Sequence, residues 1–253
     1  MVRCNYYDEE MGLCPLEAKD EIDKCYWHEI IEYKELDQDK INYLKKNKIV
    51  GVFLNKSFFL GADLKGAYLR KANLKESKFL MSNLNEANLS NANLQDVKFS
   101  NCCLFNANLT DAQLQGANFF NSNLQRIKFL NSNLKTTNFN NTNLQGVNLS
   151  NIDLQGVNFN RANLHGSDLS YSNLKGAKLI NAKLLRSFLC HTIVDSDTRL
   201  EGALLKKANI FHSDVEQTKT FKDAVFFSTD SLNEKEINEE IADCIIRDCR
   251  KST

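Results

Sequence analysis

From Leu54 to Leu189 every fifth residue is Leu or Phe, without exception, for 28 consecutive positions. Two residues ahead of each stands a small or β-branched residue, as in Ala62-Asp63-Leu64, Ala72-Asn73-Leu74, Ala92-Asn93-Leu94 and Ala162-Asn163-Leu164. So strict a repeat limits the fold before any propensity is considered. A continuous α-helix cannot hold it, because a period of five drifts around a turn of 3.6 residues. A flat strand cannot hold it either, because a period of five breaks the alternation of two. The central residue and the small one before it are expected to point inward, and the other three outward.

A second period sets the geometry. Phe59, Phe79, Phe99, Phe119, Phe139 and Phe159 lie twenty residues apart in one series that ends with Leu179. Two of the other three series are all Leu, and the remaining one is Leu except for Phe129. Twenty over five means four units per coil. The chain is therefore expected to wind as a solenoid of square section, with a phenylalanine ladder along one face. Val97, Cys102, Ile127, Val147, Ile152 and Val157 replace Ala at inward positions, and should widen or distort the coil. One proline and ten glycines suggest corners made without the usual turn residues.

These Ala-(Asp/Asn)-Leu-x-x units resemble those of pentapeptide repeat proteins. The resemblance implies an all-β solenoid, a right-handed quadrilateral β-helix whose coils stack at about 4.8 Å. With flanking helices it divides the chain into 1–51, a Cys/His segment and capping helices; 52–228, the β-helix with a break at 190–198; and 229–253, a C-terminal helix.

Formal charge is zero overall but unevenly spread. Residues 1–51 hold 8 Lys/Arg against 12 Asp/Glu, residues 52–189 hold 15 against 7, and residues 190–253 hold 9 against 13. A basic rod therefore lies between acidic ends, and a basic side could meet an anionic partner. The start, Met-Val-Arg-Cys-Asn, lacks the pattern of a signal peptide, and no apolar run is long enough for a membrane helix. A bacterial, cytoplasmic protein with reduced cysteines is the expectation.

Three of the eight cysteines fall early, and the spacing Cys4-x9-Cys14-x10-Cys25-x2-His28 supplies three thiolates and one imidazole. That is a closed structural zinc set with no open catalytic position. A short leader with few apolar residues would fold on such a metal. The stretch from Cys14-Pro15-Leu16 to Cys25-Tyr26-Trp27-His28 also resembles zinc-knuckle-like leaders found ahead of bacterial repeat domains. After His28, apolar residues at helical spacing suggest two helices, the second capped by Asp37 or Asp39 and ending near Lys46.

The five-residue rhythm fails after Leu189 and resumes one residue out of phase at Leu200. The intervening segment, with Cys190, His191, Asp195 and Asp197, is the candidate partner-binding loop. Cys190, His191 and His212 are a weaker alternative as a second metal site. Ser231-x-x-Glu234 opens a capping box for a helix over 231–249, a cap over the last coil or a homodimer contact.

Nothing in the sequence assembles a nucleophile, a base and a pocket. The expectation is a non-enzymatic protein-interaction scaffold with structural zinc. Two other readings remain. Some family members mimic DNA and bind DNA gyrase, but that needs an acidic rod and is disfavoured by the basic one. A basic rod could also bind nucleic acid weakly.

Overall fold

The protein is described by a computed structural model that covers residues 6–9, 12–14, 16, 25–29, 36–205 and 208. The repeat forms a right-handed, four-sided β-helix. Each coil is twenty residues long, as parallel pairing shows: Asn73 pairs with Asn93, Gln113 with Asn133, and Asn143 with Asn163. Where the pairing extends it makes three short strands on the phenylalanine face. These are β3 (Phe58–Leu60), β4 (Lys78–Leu80) and β5 (Lys98–Ser100), joined in parallel with Phe59 opposite Phe79 and Phe79 opposite Phe99.

All 28 central residues from Leu54 to Leu189 are buried, and so is each residue two positions before. A buried Leu or Phe contributes about 1.5–3 kcal/mol by transfer from water, and each coil gains it only against its neighbours. The phenylalanines form a continuous stack from Phe59 to Phe159, with ring centroids 4.2–5.3 Å apart. Phe129 meets Phe119 and Phe139 edge-on at 6.4 and 5.8 Å.

Inward hydroxyls bond to backbone. Ser77 donates to the Leu54 carbonyl, Ser122 to Phe99 and Thr137 to Leu114, each 23 residues earlier in the coil below. Cys102 uses its thiol in the same way, 3.1 Å from the Phe79 carbonyl, and burial pushes that thiol up to about 11.

The corners depart from the sequence expectation. Every central residue is followed, two positions on, by a residue with φ between 53° and 69°. A β-turn closes most of them, as in Ala67 N–H to the Leu64 carbonyl. Seven of the 28 corner residues are Gly and eight are Asn, so the usual turn residues do make many of the corners. The glycines are few because each corner needs only one left-handed residue, and Asn adopts that conformation at little cost.

Asn has a second use on the outer wall. Asn118, Asn138 and Asn158 accept from the backbone N–H groups of Phe120, Asn140 and Asn160. Asn138 also donates to Asn118, and Asn163 to Asn143, one coil away. These side chains brace the coil locally and hold adjacent coils together.

The bulkier inward residues distort the coil at two places only. The pairs Lys128–Asn148 and Asn133–Asp153 are missing from an otherwise regular ladder. There Val147 stacks over Ile127 and Ile152 over Ser132. Val97 and Val157, over Ser77 and Thr137, leave their pairs intact.

The change of phase is smaller than the sequence suggests. Thr192 and Val194 are buried as one more inward pair, and Ile193 pairs with Asn173, still twenty residues earlier. Arg199 then pairs with Lys178, 21 residues earlier. One inserted residue in the corner between Asp195 and Thr198 absorbs the whole shift, and Thr198 reaches the Leu174 carbonyl 24 residues back.

Ahead of the rod, α1 (Gln38–Lys46) is capped by Asp37, whose side chain accepts from Lys40 N–H at 2.8 Å. Its buried residues Ile41 and Leu44 join the apolar cluster that contains Leu54 and Phe59. Lys45 pairs with Asp63 on the first coil, and that contact holds the Asp63 carboxyl below its usual range. The expected helices directly after His28 and over 231–249 lie outside the described residues, and so do Cys4 and His212. No helix among the described residues is long and apolar enough to cross a membrane.

Candidate metal centre

A short antiparallel hairpin, β1 (Tyr7–Asp8) and β2 (Gly12–Leu13), brings Cys14 back beside Tyr6, whose carbonyl accepts from Cys14 N–H at 2.8 Å. A tight turn follows Cys25, with His28 and Glu29 N–H groups both 3.0 Å from the Cys25 carbonyl. Two sequence-distant segments thus present Cys14, Cys25 and His28 to one point. All three are buried, and their ligand atoms lie within 4.8 Å of one another. Among the described residues this is the only cluster of three or more such groups.

The distances fit a tetrahedral ion. Cys14 Sγ and Cys25 Sγ are 4.0 Å apart, and Cys25 Sγ is 3.2 Å from His28 Nδ1. Zinc–ligand bonds of about 2.3 Å to sulfur and 2.0 Å to nitrogen give tetrahedral edges of about 3.8 and 3.5 Å. The far side of the imidazole is already oriented, because Nε2 lies 2.6 Å from the Val50 carbonyl. A carbonyl only accepts, so the proton sits on Nε2 and the Nδ1 lone pair faces the sulfurs. Such an outer partner is the usual support of a metal-binding histidine.

The cluster is tied to the rod through Val50 and Gly51. Gly51 N–H donates to the Arg70 carbonyl on the first coil. Tyr6 stacks on His28 with centroids 3.9 Å apart, and its hydroxyl would lie 1.8 Å from a Cβ at position 51. Gly51 therefore needs both its φ of +69° and its missing side chain. Trp27 is buried, stacks on Tyr43 of α1, and gives its carbonyl to Phe53 N–H. Spacing pointed to the three residues of the cluster; the contacts of Tyr6, Val50 and Gly51 had no sequence signal, because each is made through backbone or ring across the fold.

The four residues around the change of phase, Cys190, His191, Asp195 and Asp197, all lie among the described residues. Cys190 is buried. His191 stacks on Tyr171. Asp195 turns inward to the corner, accepting from the N–H groups of Gly176, Asp197 and Thr198 and from the Thr198 hydroxyl. Those bonds, Gly176 foremost, hold its carboxyl below the usual range. Asp197 is exposed.

A family model described as the pentapeptide repeat region matches residues 52–129 and 112–179. Among solved structures, the chain is similar to HetL, a pentapeptide repeat protein involved in heterocyst differentiation regulation from the cyanobacterium Nostoc sp. strain PCC 7120. Identity is 29% over 64% of this chain and 73% of that one, with a TM-score of 0.38. Rfr23, a pentapeptide repeat protein from the cyanobacterium Cyanothece 51142, is 37% identical over 36% of this chain and 62% of that one, with a TM-score of 0.35. Full-length QnrB1, a plasmid-mediated fluoroquinolone resistance protein, is 17% identical over 77% and 90%, with a TM-score of 0.46. No curated protein matches. The two family matches overlap and together run from residue 52 to 179, which is 128 of the 253 residues, and the chain belongs to the pentapeptide repeat family.

Proposed function

We propose that this protein is a non-catalytic interaction scaffold: a rigid rod that binds macromolecules on its outside, with a leader fastened by structural zinc. The observation that carries the reading is the filled interior. At each of 28 successive repeats both inward side chains are buried, so the rod encloses Leu, Phe and Ala rather than a substrate. Cys14, Cys25 and His28 supply three ligands, and Cys4, two residues before Tyr6, is the fourth donor in this reading. With four protein ligands the ion has no open position and serves folding alone.

The charge pattern weighs against an acidic DNA mimic acting on gyrase. Within the rod, residues 52–78 hold six Lys/Arg against two Asp/Glu, residues 79–134 three against three, and residues 135–189 six against two. Positive charge sits at both ends of the rod and the waist is neutral. The test is affinity purification from the native host, with nuclease treatment, beside a gyrase supercoiling assay. A stoichiometric protein complex that survives nuclease, without effect on supercoiling, supports the scaffold. Loss of all bound material on nuclease treatment, or protection of gyrase, contradicts it.

A further inference from the structure

We propose that the outer edge of β3 is a docking site, where a partner protein adds an extended strand with apolar residues at alternate positions and acidic residues at its ends. The inference rests on the scaffold reading and names the surface and partner class for it.

The open edge follows from the ladder. Along this face Lys78 donates its backbone N–H to Ser57 in the coil before, Lys98 to Ser77, and Asn118 to Val97. Phe58 is the equivalent residue of the first coil, and among the described residues no coil of the ladder precedes it. β3 therefore pairs with β4 alone and ends its sheet. The Ser57 carbonyl and the Gly61 N–H face the second coil, bonded to Lys78 and Leu80. Alternate residues face the other way, so the N–H and C=O groups of Phe58 and Leu60 point outward. These groups have no hydrogen-bond partner among the described residues.

A sequence change widens this edge. Farther along the face, Asn118, Asn138 and Asn158 accept the N–H two residues on, which removes that donor from the ladder. Pairing there narrows to single residues, as at Asn118–Asn138. Positions 58, 78 and 98 are Phe, Lys and Lys, which cannot accept that bond. Pairing there runs on through Leu60–Leu80 and Leu80–Ser100. With Phe at 58 the Leu60 N–H stays available, and the edge offers a strand rather than an isolated donor. Ser57 supplies a second sign. Ser77 donates its hydroxyl to the Leu54 carbonyl in the coil below, whereas the buried Ser57 hydroxyl has no partner. It lacks the carbonyl that a preceding segment would supply.

The leader engages the other three faces of this end. Trp27 gives its carbonyl to Phe53 N–H, Lys45 pairs with Asp63, and Lys48 lies over the Tyr68 ring. Ile41 and Leu44 of α1 cluster with Phe59. A second rod stacked end to end would have to displace α1, whereas a single strand would not. Natural edges are blunted by Lys, Pro or a bulge, yet this one exposes Phe58 by 45% and Leu60 by 59%. An added strand satisfies the open backbone groups, and its apolar side chains at i and i+2 would lie beside Phe58 and Leu60. Lys78, paired next to Phe58, is exposed and enters no ion pair among the described residues. It favours a strand with acidic flanks.

The probe is the peptide Glu-Val-Thr-Val-Thr-Val-Glu, added to the full chain and followed by fluorescence anisotropy and amide exchange. In the free protein the Phe58 and Leu60 amides should exchange faster than that of Gly61, and the peptide should slow them at least about tenfold. N-methylation of one alternate set of peptide N–H groups should abolish binding, and methylation of the other set should leave it. Phe58→Asn, which restores the brace used at 118, 138 and 158, should weaken binding about tenfold with unchanged circular dichroism. Phe58→Val, which cannot accept the bond, should keep it. Lys in place of Glu in the peptide should weaken binding at low salt. Slow exchange of Phe58 and Leu60 in the free protein, equal binding of the two methylated peptides or of the Glu and Lys peptides, or equal binding by Phe58→Asn and Phe58→Val overturns the proposal. So does a concentration-dependent dimer that Phe58→Asn dissolves. If a host protein complex persists unchanged in Phe58→Asn, this edge is refuted and the scaffold reading stands.

Discussion

Phe119 lies in the middle of the aromatic stack, and replacing it with Ala tests both the register and the nearest-neighbour energetics. Its ring is fully buried between Phe99 at 5.1 Å and Phe139 at 5.3 Å, with Phe129 edge-on at 6.4 Å. Truncating a buried Phe removes its transfer energy and leaves a cavity, about 3–5 kcal/mol together. The upper half of that range applies, because coils held by the main-chain ladder cannot collapse into the gap and three ring contacts go at once. Phe119→Leu keeps the volume that Leu179 already occupies at the end of the series, and should cost only about 1–2 kcal/mol. The neighbouring residue is the control: Phe120 is 43% exposed, and Phe120→Ala should fall within about 0.5 kcal/mol of wild type. Urea unfolding followed by circular dichroism measures all three. Hydrogen exchange on Phe119→Ala should also show the coils on either side losing protection separately, since coupling passes only between adjacent coils. A Phe119→Ala variant as stable as Phe120→Ala would refute the inward assignment and the stack with it.

Thr136 is β-branched yet holds a left-handed φ of 58°, so Thr136→Asn should raise stability by about 1 kcal/mol in the same urea assay. Asp63 and Asp195 have carboxyls held below their usual value, so each stabilises the folded form above that value; the benefit is lost as pH falls through the lower folded-state value. Acid below about pH 4 should accordingly loosen the Lys45–Asp63 contact and the Asp195 corner first, seen as early exchange at Gly176 and Thr198. The two missing pairs predict faster amide exchange at Asn148 and Asp153 than at Asn143 or Asn163, whose N–H groups bond the coil below.

The rod was legible because its determinants are local and periodic. Leu or Phe at every fifth place can be buried in only one way, and the twenty-residue Phe series fixes four sides. The corners were less legible: Asn91 or Asn131 is as common in a wall as in a turn, and only backbone geometry separates the two uses. The change of phase was overestimated because Thr192 and Val194 break the Ala/Leu vocabulary yet keep its shape. In the leader, spacing singled out Cys14, Cys25 and His28, and the fold brings these three together. Their anchoring through Val50 and Gly51 depends on contacts across 19 or more residues, which no spacing encodes.

The metal content of the leader is the most direct measurement, made on protein purified without chelators by elemental analysis and native mass spectrometry. One zinc per chain is expected in the wild type and none in Cys25→Ser or His28→Ala, with an unchanged β-helix signal in both variants. Wild-type protein that holds no metal while its leader stays folded would contradict it.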